Sequence, residues 1–557
     1  MKYKMSVTWV LAILCMFAIG TTVFAGGQTA EGSEAGGVSV SPPGVYPIVE
    51  ETFTMPALGV VNARIQDMNT NYATVWWEEQ TNVHVDWDIV TGSDAGSKVN
   101  LMLSSGTDLP DVFVGTNLSP AQQFLYGSQG VIMPIDELVE EHAPNIKRIW
   151  NVVDPYVKQQ LTAPDGNVYG MSIRPLAYHS TLSQKLWINA KWLENLGLEM
   201  PATTDELYAV LKAFKEQDAN NNGYPDDEIP YSGVHTFWRG RIGAYVMNAF
   251  IYDDGFGDSI NSNRLVVNNG TISPAYTTPQ WRDGLRFLRK LADEGLLDSQ
   301  AFVNTQEDLR ALNNHGKGEI AIVGAFQGGT PWAGTVASGE LKRQYTSLPP
   351  ITGPNGARTT GFYPKNQRGS RFAITKDAQS PAVAIKWVDL AFTDEGRNVS
   401  YFGEEGVNWR NANQGEIAMT GEPALWKQLT VPNVPHNYTW SHFMPTYFPE
   451  GFFDRQVPAS DDPFSIERWL WVETMEKYEG LQPDEIVPPL FMSLEDGKEQ
   501  GKLRSEIKTY VDQSFARFVT GDLDIESDWD SYLAQFKALE LDRYIDIVQR
   551  TYDRQYK

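Results

Sequence analysis

The residues most suited to chemistry lie in "DANNNGYPDDE", residues 218–228, which gathers acidic residues and asparagines around one glycine. Carboxylate and amide oxygens are the ligands that Ca²⁺ prefers, and EF-hand loops place them at positions 1, 3, 5, 7, 9 and 12, with glycine at 6. The matching residues are Asp218, Asn220, Asn222, Gly223 at position 6, Tyr224 through its carbonyl, and Asp226. Position 12 is Ile229, and the remaining acids fall early, at Asp227 and Glu228. The spacing favours a calcium site with a displaced last ligand, and the alternative is a solvated Asn/Asp/Gly turn.

A second group of residues could bind a sugar, because aromatic faces cover C–H patches and planar polar groups pair with hydroxyls. Such residues cluster in irregular segments: "HTFWRGR" (235–241), "GAFQGGTPWAG" (324–334), "GVNWR" (406–410) and "NYTWSHFMPTYFPEGFF" (437–453). We expect ligand contacts from Trp238, Arg239, Phe326, Gln327, Trp332, Trp409, Arg410, Trp440 and Tyr447. The alternatives are core packing for each aromatic residue and a surface salt bridge for each arginine. Arg174, Arg239 and Arg410 could also pair with uronate carboxylates.

The N-terminus has the pattern of a secretory signal peptide, residues 1–25. Lys2 and Lys4 precede the apolar run Val7–Gly20, and "VFA" ends at the small residue Ala25. Residues 26–45 are rich in Gly, Ser and Ala and predict a flexible linker. We therefore expect an exported protein on the outer side of the cytoplasmic membrane.

Composition excludes several classes of function. Cys15, inside the apolar run, is the single cysteine, so the processed chain has no disulfide, thiol nucleophile or cysteine metal site. The net charge of −25 repels phosphate backbones and argues against a nucleic-acid partner. The seven histidines are scattered, and HExxH, G-x-S-x-G and P-loop motifs are absent from the sequence. We expect no enzymatic activity.

Strand and helix patterns alternate along the first half of the chain. Strands are predicted at 58–65, 84–90 and 111–115, and helices at 70–83 and 95–106. The helix within 203–217 begins with a capping box formed by Thr203 and Glu206 and ends at the acidic loop. The last hundred residues are mostly helical. This alternation predicts parallel sheets covered by helices.

Several segments together resemble the extracellular solute-binding proteins of bacterial carbohydrate ABC transporters, family 1 type, especially the large alginate- and oligosaccharide-binding members. They include "SSGTDLPDVFVG" (104–115), "GVIMPIDELVEEHAPNI" (130–146), "YGMSIRP" (169–175), "LWINAKWLENLGLEMPATTDEL" (186–207), "GKGEIAIVG" (316–324), residues 380–409 and residues 528–554. Their order and spacing carry the resemblance over nearly the whole chain.

The resemblance implies an α/β fold of the type II periplasmic-binding-protein class, with two lobes joined by crossing hinge strands. Lobe 1 is expected at 46–174 with 345–403, and lobe 2 at 175–344 with 404–557. Ligand would bind between the lobes, and the loaded, monomeric protein would deliver it to a membrane permease. The resemblance to the calcium loop of the alginate-binding members implies a structural Ca²⁺ held by Asp218, Asn220, Asn222, Tyr224, Asp226 and Asp227.

The expected function is capture of a sugar, and specifically of an oligosaccharide, for an ABC permease. Two alternatives stay open: a secreted polysaccharide-degrading enzyme, which would need two carboxylates at a defined separation, and a peptide- or lipid-binding receptor on the same fold. Whether Glu228 replaces Asp227 as a metal ligand also stays open.

Overall fold

A computed structural model describes residues 34–35, 38–61, 64–91, 95–172, 177–234, 237–255, 263–314, 320–336, 339–364, 369–430, 435–460 and 462–557. The signal peptide, Arg174, His235 and part of the hinge crossing expected near residue 175 lie outside these residues. In the part of the chain that is described, no helix is both long enough and apolar enough to cross a membrane.

The strands are β1 (Glu34–Ala35), β2 (Val38–Ser39), β3 (Phe53–Val60), β4 (Val83–Val90), β5 (Val112–Leu118), β6 (Leu186–Asn189), β7 (Ile229–Ser232), β8 (Leu265–Asn268), β9 (Thr271–Pro274), β10 (Val323–Gln327), β11 (Tyr345–Leu348), β12 (Ser370–Ile374), β13 (Trp409–Asn411) and β14 (Trp426–Gln428).

The helices are α1 (Tyr72–Thr81), α2 (Ala95–Ser105), α3 (Pro120–Ser128), α4 (Asp136–His142), α5 (Pro144–Arg148), α6 (Pro155–Leu161), α7 (Ala190–Leu196), α8 (Thr204–Glu216), α9 (Ala244–Met247), α10 (Pro279–Asp293), α11 (Gln306–Asn314), α12 (Pro381–Asp389), α13 (Asp394–Phe402), α14 (Ile466–Lys477), α15 (Leu494–Thr520), α16 (Trp529–Ala538) and α17 (Leu541–Tyr556).

Two four-stranded sheets form the centres of two lobes, as the α/β prediction requires. The first sheet has the order β12-β5-β3-β4, in which β3 pairs in parallel with β4 and β5, and β12 is antiparallel to β5. The second has the order β11-β6-β10-β7, in which β10 and β7 are parallel and β6 runs against β10 and β11. Each sheet lies among helices and has its own buried core.

The chain returns to the first lobe later than the sequence indicated. β11 pairs with β6 from Tyr345↔Asn189 to Leu348↔Leu186, so residues 345–348 belong to the second sheet. The Thr359 amide then donates to the Asn248 carbonyl (3.2 Å), still in the second lobe. The first lobe resumes at β12, so the assignment of the lobe-1 segment to 345–403 is wrong at its start. Strand pairing over such sequence distances leaves no local signal.

The last crossing is also later than residue 404. Trp440, Phe443 and Met444 are buried in the first lobe's core, and Phe464 packs against the second lobe's core. The chain therefore crosses between 454 and 464, and the described residues 404–430 and 435–453 belong to the first lobe. The predicted linker is shorter than expected too, because Val40 is buried and the Pro42 carbonyl accepts a hydrogen bond from Lys386.

The helix before the acidic loop forms as predicted. The Thr203 hydroxyl accepts from the Glu206 amide (3.2 Å), and the Glu206 carboxylate accepts from the Thr203 amide (3.1 Å). Its apolar face, Leu207, Val210, Leu211 and Phe214, is buried in the second core. α8 thus anchors one end of the acidic loop, and β7 anchors the other.

Candidate functional site

A turn that follows β7 presents Trp238 at the edge of the second sheet. Its side chain is 38% exposed, which is high for so large an apolar group. The indole lies directly over Gly329, where a Cβ atom would clash with the ring. The Gly329 amide also donates to the Trp238 carbonyl (2.9 Å). Glycine at 329 therefore lets the segment after β10 support an exposed aromatic face.

Arg239, next in the chain, is buried although it is charged. It is 3% exposed, and its φ of 59° is rare for a side chain of this size. Nε donates to the Ser183 hydroxyl (3.2 Å), and the guanidinium carbon lies 3.1 Å from the centre of the Tyr363 ring. One terminal nitrogen has no hydrogen-bond partner among the described residues. The Arg239 guanidinium is thus buried, stacked on an aromatic ring and incompletely hydrogen-bonded, which is unusual for a buried charged group.

Gln327, at the end of β10, fixes this turn. Its Oε1 accepts from the Tyr245 amide (3.2 Å) and its Nε2 donates to the Arg239 carbonyl (3.3 Å). The side chain is fully buried, so it positions Arg239. Phe326 is also fully buried, and its ring lies 4.8 Å from that of Tyr345 inside the core.

Trp332 lies in a short 3₁₀ turn just after β10 and is partly exposed. Its carbonyl accepts from Gln306 (2.9 Å) and Arg310 (2.7 Å), which tie the turn to α11. Its indole nitrogen is buried without a partner among the described residues.

The other aromatic candidates lie in the first lobe. Trp440 is 1% exposed, donates to the Thr74 hydroxyl (2.8 Å) and lies 4.9 Å from the ring of Trp77. Tyr447 is buried, and its hydroxyl lies 3.4 Å from the Asp154 carboxylate.

Trp409 and Arg410 lie in the ribbon formed by β13 and β14. The Trp409 indole donates to the Gly403 carbonyl (3.0 Å) and packs on Phe402. Arg410 makes two bonds of 2.7 Å to the Glu416 carboxylate. This pairing keeps the pKa of Glu416 near 2, below its usual value.

The structure therefore brings Trp238, Arg239 and Gln327 together at the edge of the second sheet. Trp332 lies on the same segment as Gln327. It places Phe326, Trp409 and Trp440 in packed clusters. Sequence reasoning missed Ser183 and Tyr363, which complete the surroundings of Arg239. Neither has a local signal, because each meets Arg239 only through the fold.

The acidic loop is closed by its own side chains. The Asp218 carboxylate accepts from the amides of Asn222 (2.9 Å) and Gly223 (2.8 Å), as in the first half of an EF-hand loop. Gly223 has a φ of 86°, which supplies the sharp turn. The side-chain amides of Asn220 and Asn222 donate to the Asp227 carboxylate at 2.9 Å. Tyr224 and Asp226 are exposed.

Glu228 faces the same loop from its base. Oε1 accepts from the Asn220 amide (3.3 Å), whereas Oε2 is buried with no partner among the described residues. Burial, with the nearby charges of Asp227 and Asp218, raises the pKa of Glu228. Within the described ranges, no group of three or more His, Cys, Asp or Glu side chains converges as a formed metal site. The loop has the ligand types for Ca²⁺, and its oxygens would have to turn inward to bind it.

Residues 62–398 match the model of the bacterial extracellular solute-binding protein family. The chain belongs to this family. It is also similar to the fructooligosaccharide ABC transporter substrate-binding protein FusA of Streptococcus pneumoniae, with 29% identity over 490 residues, 86% of both proteins.

Solved structures agree with this assignment. The structure of S. pneumoniae FusA with kestose matches with a TM-score of 0.74 and 25% identity, covering 90% of this chain and 99% of FusA. An EF-hand mutant of FusA with fructo-nystose matches with a TM-score of 0.73, the same identity and the same coverage. A solute-binding protein of Bifidobacterium longum infantis, described as binding HMO, has the same fold, with a TM-score of 0.75, 21% identity and coverage of 90% and 99%.

Proposed function

We propose that this protein is the exported substrate-binding component of an ABC importer, and that it captures an oligosaccharide between its two lobes. Family membership and the similarity to FusA support a transport role. The observation that carries the sugar assignment is the exposed Trp238 ring beside the buried, incompletely bonded Arg239. Together they offer an apolar face and a fixed donor, the two contacts that a sugar ring needs.

Capture follows from the two-lobed architecture. A ligand that contacts both lobes stabilises the closed arrangement, because it binds that form more tightly than the open one. The permease then has a closed, loaded protein to recognise. We expect a monomer in solution.

Among the sequence candidates, we assign direct ligand contact to Trp238, Arg239 and Trp332. We assign a positioning role to Gln327 and packing roles to Phe326, Trp409 and Trp440. Arg410 is held by Glu416, and Tyr447 lies in the first core, so we place neither at the ligand.

We further propose a structural Ca²⁺ in the acidic loop. Rotating the Asn220 and Asn222 amides would present their oxygens where their nitrogens now meet Asp227. Asp218, Asp227 and the Tyr224 carbonyl would add ligands, and Glu228 would supply the buried oxygen that lacks a partner. The solved EF-hand mutant of FusA supports such a loop in a relative. Bound Ca²⁺ would hold together the loop that connects α8 to β7 and would thereby stabilise the second lobe.

Calorimetric titration with a panel of oligosaccharides, including kestose, tests the function. We expect saturable binding of one sugar per chain and recovery of the sugar intact after hours of incubation. Shortened products would favour the degrading-enzyme alternative. Binding of peptides or lipids with no binding of any sugar would favour a different receptor class. Native mass spectrometry of ligand carried through purification would identify the natural substrate.

A further inference from the structure

A groove of about 260 Å³ lies where the C-terminal helix meets the first lobe. One wall comes from α3, α6 and the turn at 162–164, all in the first lobe. The opposite wall comes from residues 489 and 491 and the last turn of α17. None of its lining residues belongs to the ligand site proposed above.

The C-terminal wall is held firmly in place. The Gln555 side chain accepts from the Phe491 amide (3.1 Å) and donates to the Phe491 carbonyl, and the Tyr556 hydroxyl donates to the Pro489 carbonyl (2.9 Å). Phe491 is thereby fixed in the first lobe's apolar cluster, in which Tyr126 also packs. Since side chains and backbone are bonded on this wall, the wall is preformed and a ligand would not have to order it.

Two tyrosines expose broad aromatic surface in the groove. Tyr156, on α6, is 48% exposed, and Tyr556, on α17, is 42% exposed. Burial of its hydroxyl, with Tyr156 and Tyr552 nearby, raises the pKa of Tyr556 to about 12. This phenol therefore stays neutral at physiological pH, and its ring can stack on the C–H face of a sugar.

The polar lining consists mainly of amides. Gln123 and Gln159 line the groove with Gln160 and Gln555, and Arg554 is the charged residue among the lining residues. Among the described residues that line it there is no carboxylate, although the chain has 70 acidic residues. A metal cation or an amine ligand is therefore disfavoured here.

Gln123, one of the lining residues, has a buried acceptor without a partner in the described part of the chain. Its Nε2 donates to the Leu118 carbonyl (2.9 Å), which fixes the orientation of the amide. Its Oε1 is an acceptor with no partner among the described residues, and the side chain is 2% exposed. An unpaired buried acceptor is costly, so it calls for a donor. A sugar hydroxyl donates a hydrogen bond, whereas an ionised carboxylate or phosphate cannot.

We propose that this groove is a second, weak binding site for one neutral sugar ring. Its volume lies just under the usual range for larger ligands, about 300–1,000 Å³, so it suits a single ring better than an oligosaccharide. Because its walls belong to both lobes, an occupied groove would favour the lobe arrangement that forms it.

Ligand-observed NMR titration of the full chain tests the proposal. The probes are methyl α-D-glucopyranoside and methyl β-D-fructofuranoside, with methyl glucuronide as the charged comparison. The titrations use a Trp238→Ala background, so that the main cleft is weakened. We expect binding of the neutral glycosides, and Tyr156→Ala and Tyr556→Ala should each reduce their affinity about three- to tenfold. Val152→Ala, which alters a residue that is 75% exposed and does not line the groove, is the matched control and should bind as the background does.

Unchanged affinity in both tyrosine variants would overturn the site, and so would the absence of neutral-glycoside binding at any concentration. If methyl glucuronide bound as tightly as the neutral glycosides, or more tightly, the proposal that the groove takes a neutral sugar would be wrong. The main function is read separately, from oligosaccharide binding to the unmodified chain. Failure of one proposal can therefore be distinguished from failure of the other.

Discussion

Trp440 and Trp238 lie in two regions that look alike in sequence and differ in the fold. Trp440 belongs to a stretch with seven aromatic residues, and it is buried against Trp77 and hydrogen-bonded to Thr74. Trp238 has only Phe237 as an aromatic chain neighbour, and it is exposed over a glycine. Aromatic density thus marks the first lobe's core, whereas the exposed aromatic surface at Trp238 depends on a turn and on a glycine beneath the ring.

The largest effect expected from this comparison is on stability. Trp440→Ala should lower the free energy of unfolding by about 3–5 kcal/mol, because it leaves a large cavity in a packed core. Urea denaturation followed by fluorescence measures it. Trp238→Ala, at an exposed site, is the matched control and should change stability by less than about 1 kcal/mol. Similar losses of unfolding free energy in the two variants would contradict the distinction between a core tryptophan at 440 and a surface tryptophan at 238.

Calcium removal should have the next largest effect, and it should act through the second lobe. At a Ca²⁺ concentration about 100 times its Kd, the bound ion contributes roughly 2.7 kcal/mol, so chelation should lower the Tm and Ca²⁺ should restore it. Glu228→Gln should reduce the increase in Tm that Ca²⁺ produces, because it weakens Ca²⁺ binding. An identical Tm with EDTA and with Ca²⁺ in the unmodified chain would exclude a structural ion.

Substitution of Trp238 should lower the affinity for the oligosaccharide. Trp238→Ala should weaken oligosaccharide binding about five- to thirtyfold, since it removes a stacking face worth roughly 1–2 kcal/mol. Trp76→Ala, at a partly exposed tryptophan of α1, serves as the control and should leave the affinity unchanged. If both variants bind alike, the ligand site lies elsewhere.

The smallest effect is expected at Arg410. Arg410→Ala should change oligosaccharide affinity by less than about twofold, because the Arg410 guanidinium already donates two hydrogen bonds to the Glu416 carboxylate. Titration calorimetry on the variant measures this. A large loss of affinity in a variant of unchanged stability would place the β13–β14 ribbon at the ligand.

Local features were predictable from the sequence, and long-range ones were not. The capping box of α8 and the loop after it depend on neighbours in the chain, and the predicted helix formed as expected. The predicted strand at 58–65 lies instead at 53–60, because pairing with β4 and β5 sets its bounds. The place of β11 depends on β6, more than 150 residues earlier, and no local pattern encodes that partner.

The arrangement of the candidate residues was also predictable only in part, and whether they bind a ligand stays a prediction. Trp238 and Arg239 stood out as an aromatic–arginine pair in an irregular segment. Tyr363 stacks on Arg239 from a distant segment, and burial of Phe326 and Trp440 depends on what the fold packs over them. Composition identified aromatic residues, but only the three-dimensional structure separates those in the core from those at the surface.

The central claim is that this protein binds an oligosaccharide at the edge of the second sheet that carries Trp238. Titration calorimetry of the unmodified chain and Trp238→Ala with the same oligosaccharide tests it most directly. We predict saturable one-to-one binding that is at least about fivefold weaker in the variant, with the sugar recovered intact. Equal affinity in the two proteins, or no binding of any sugar in the panel, would contradict the account.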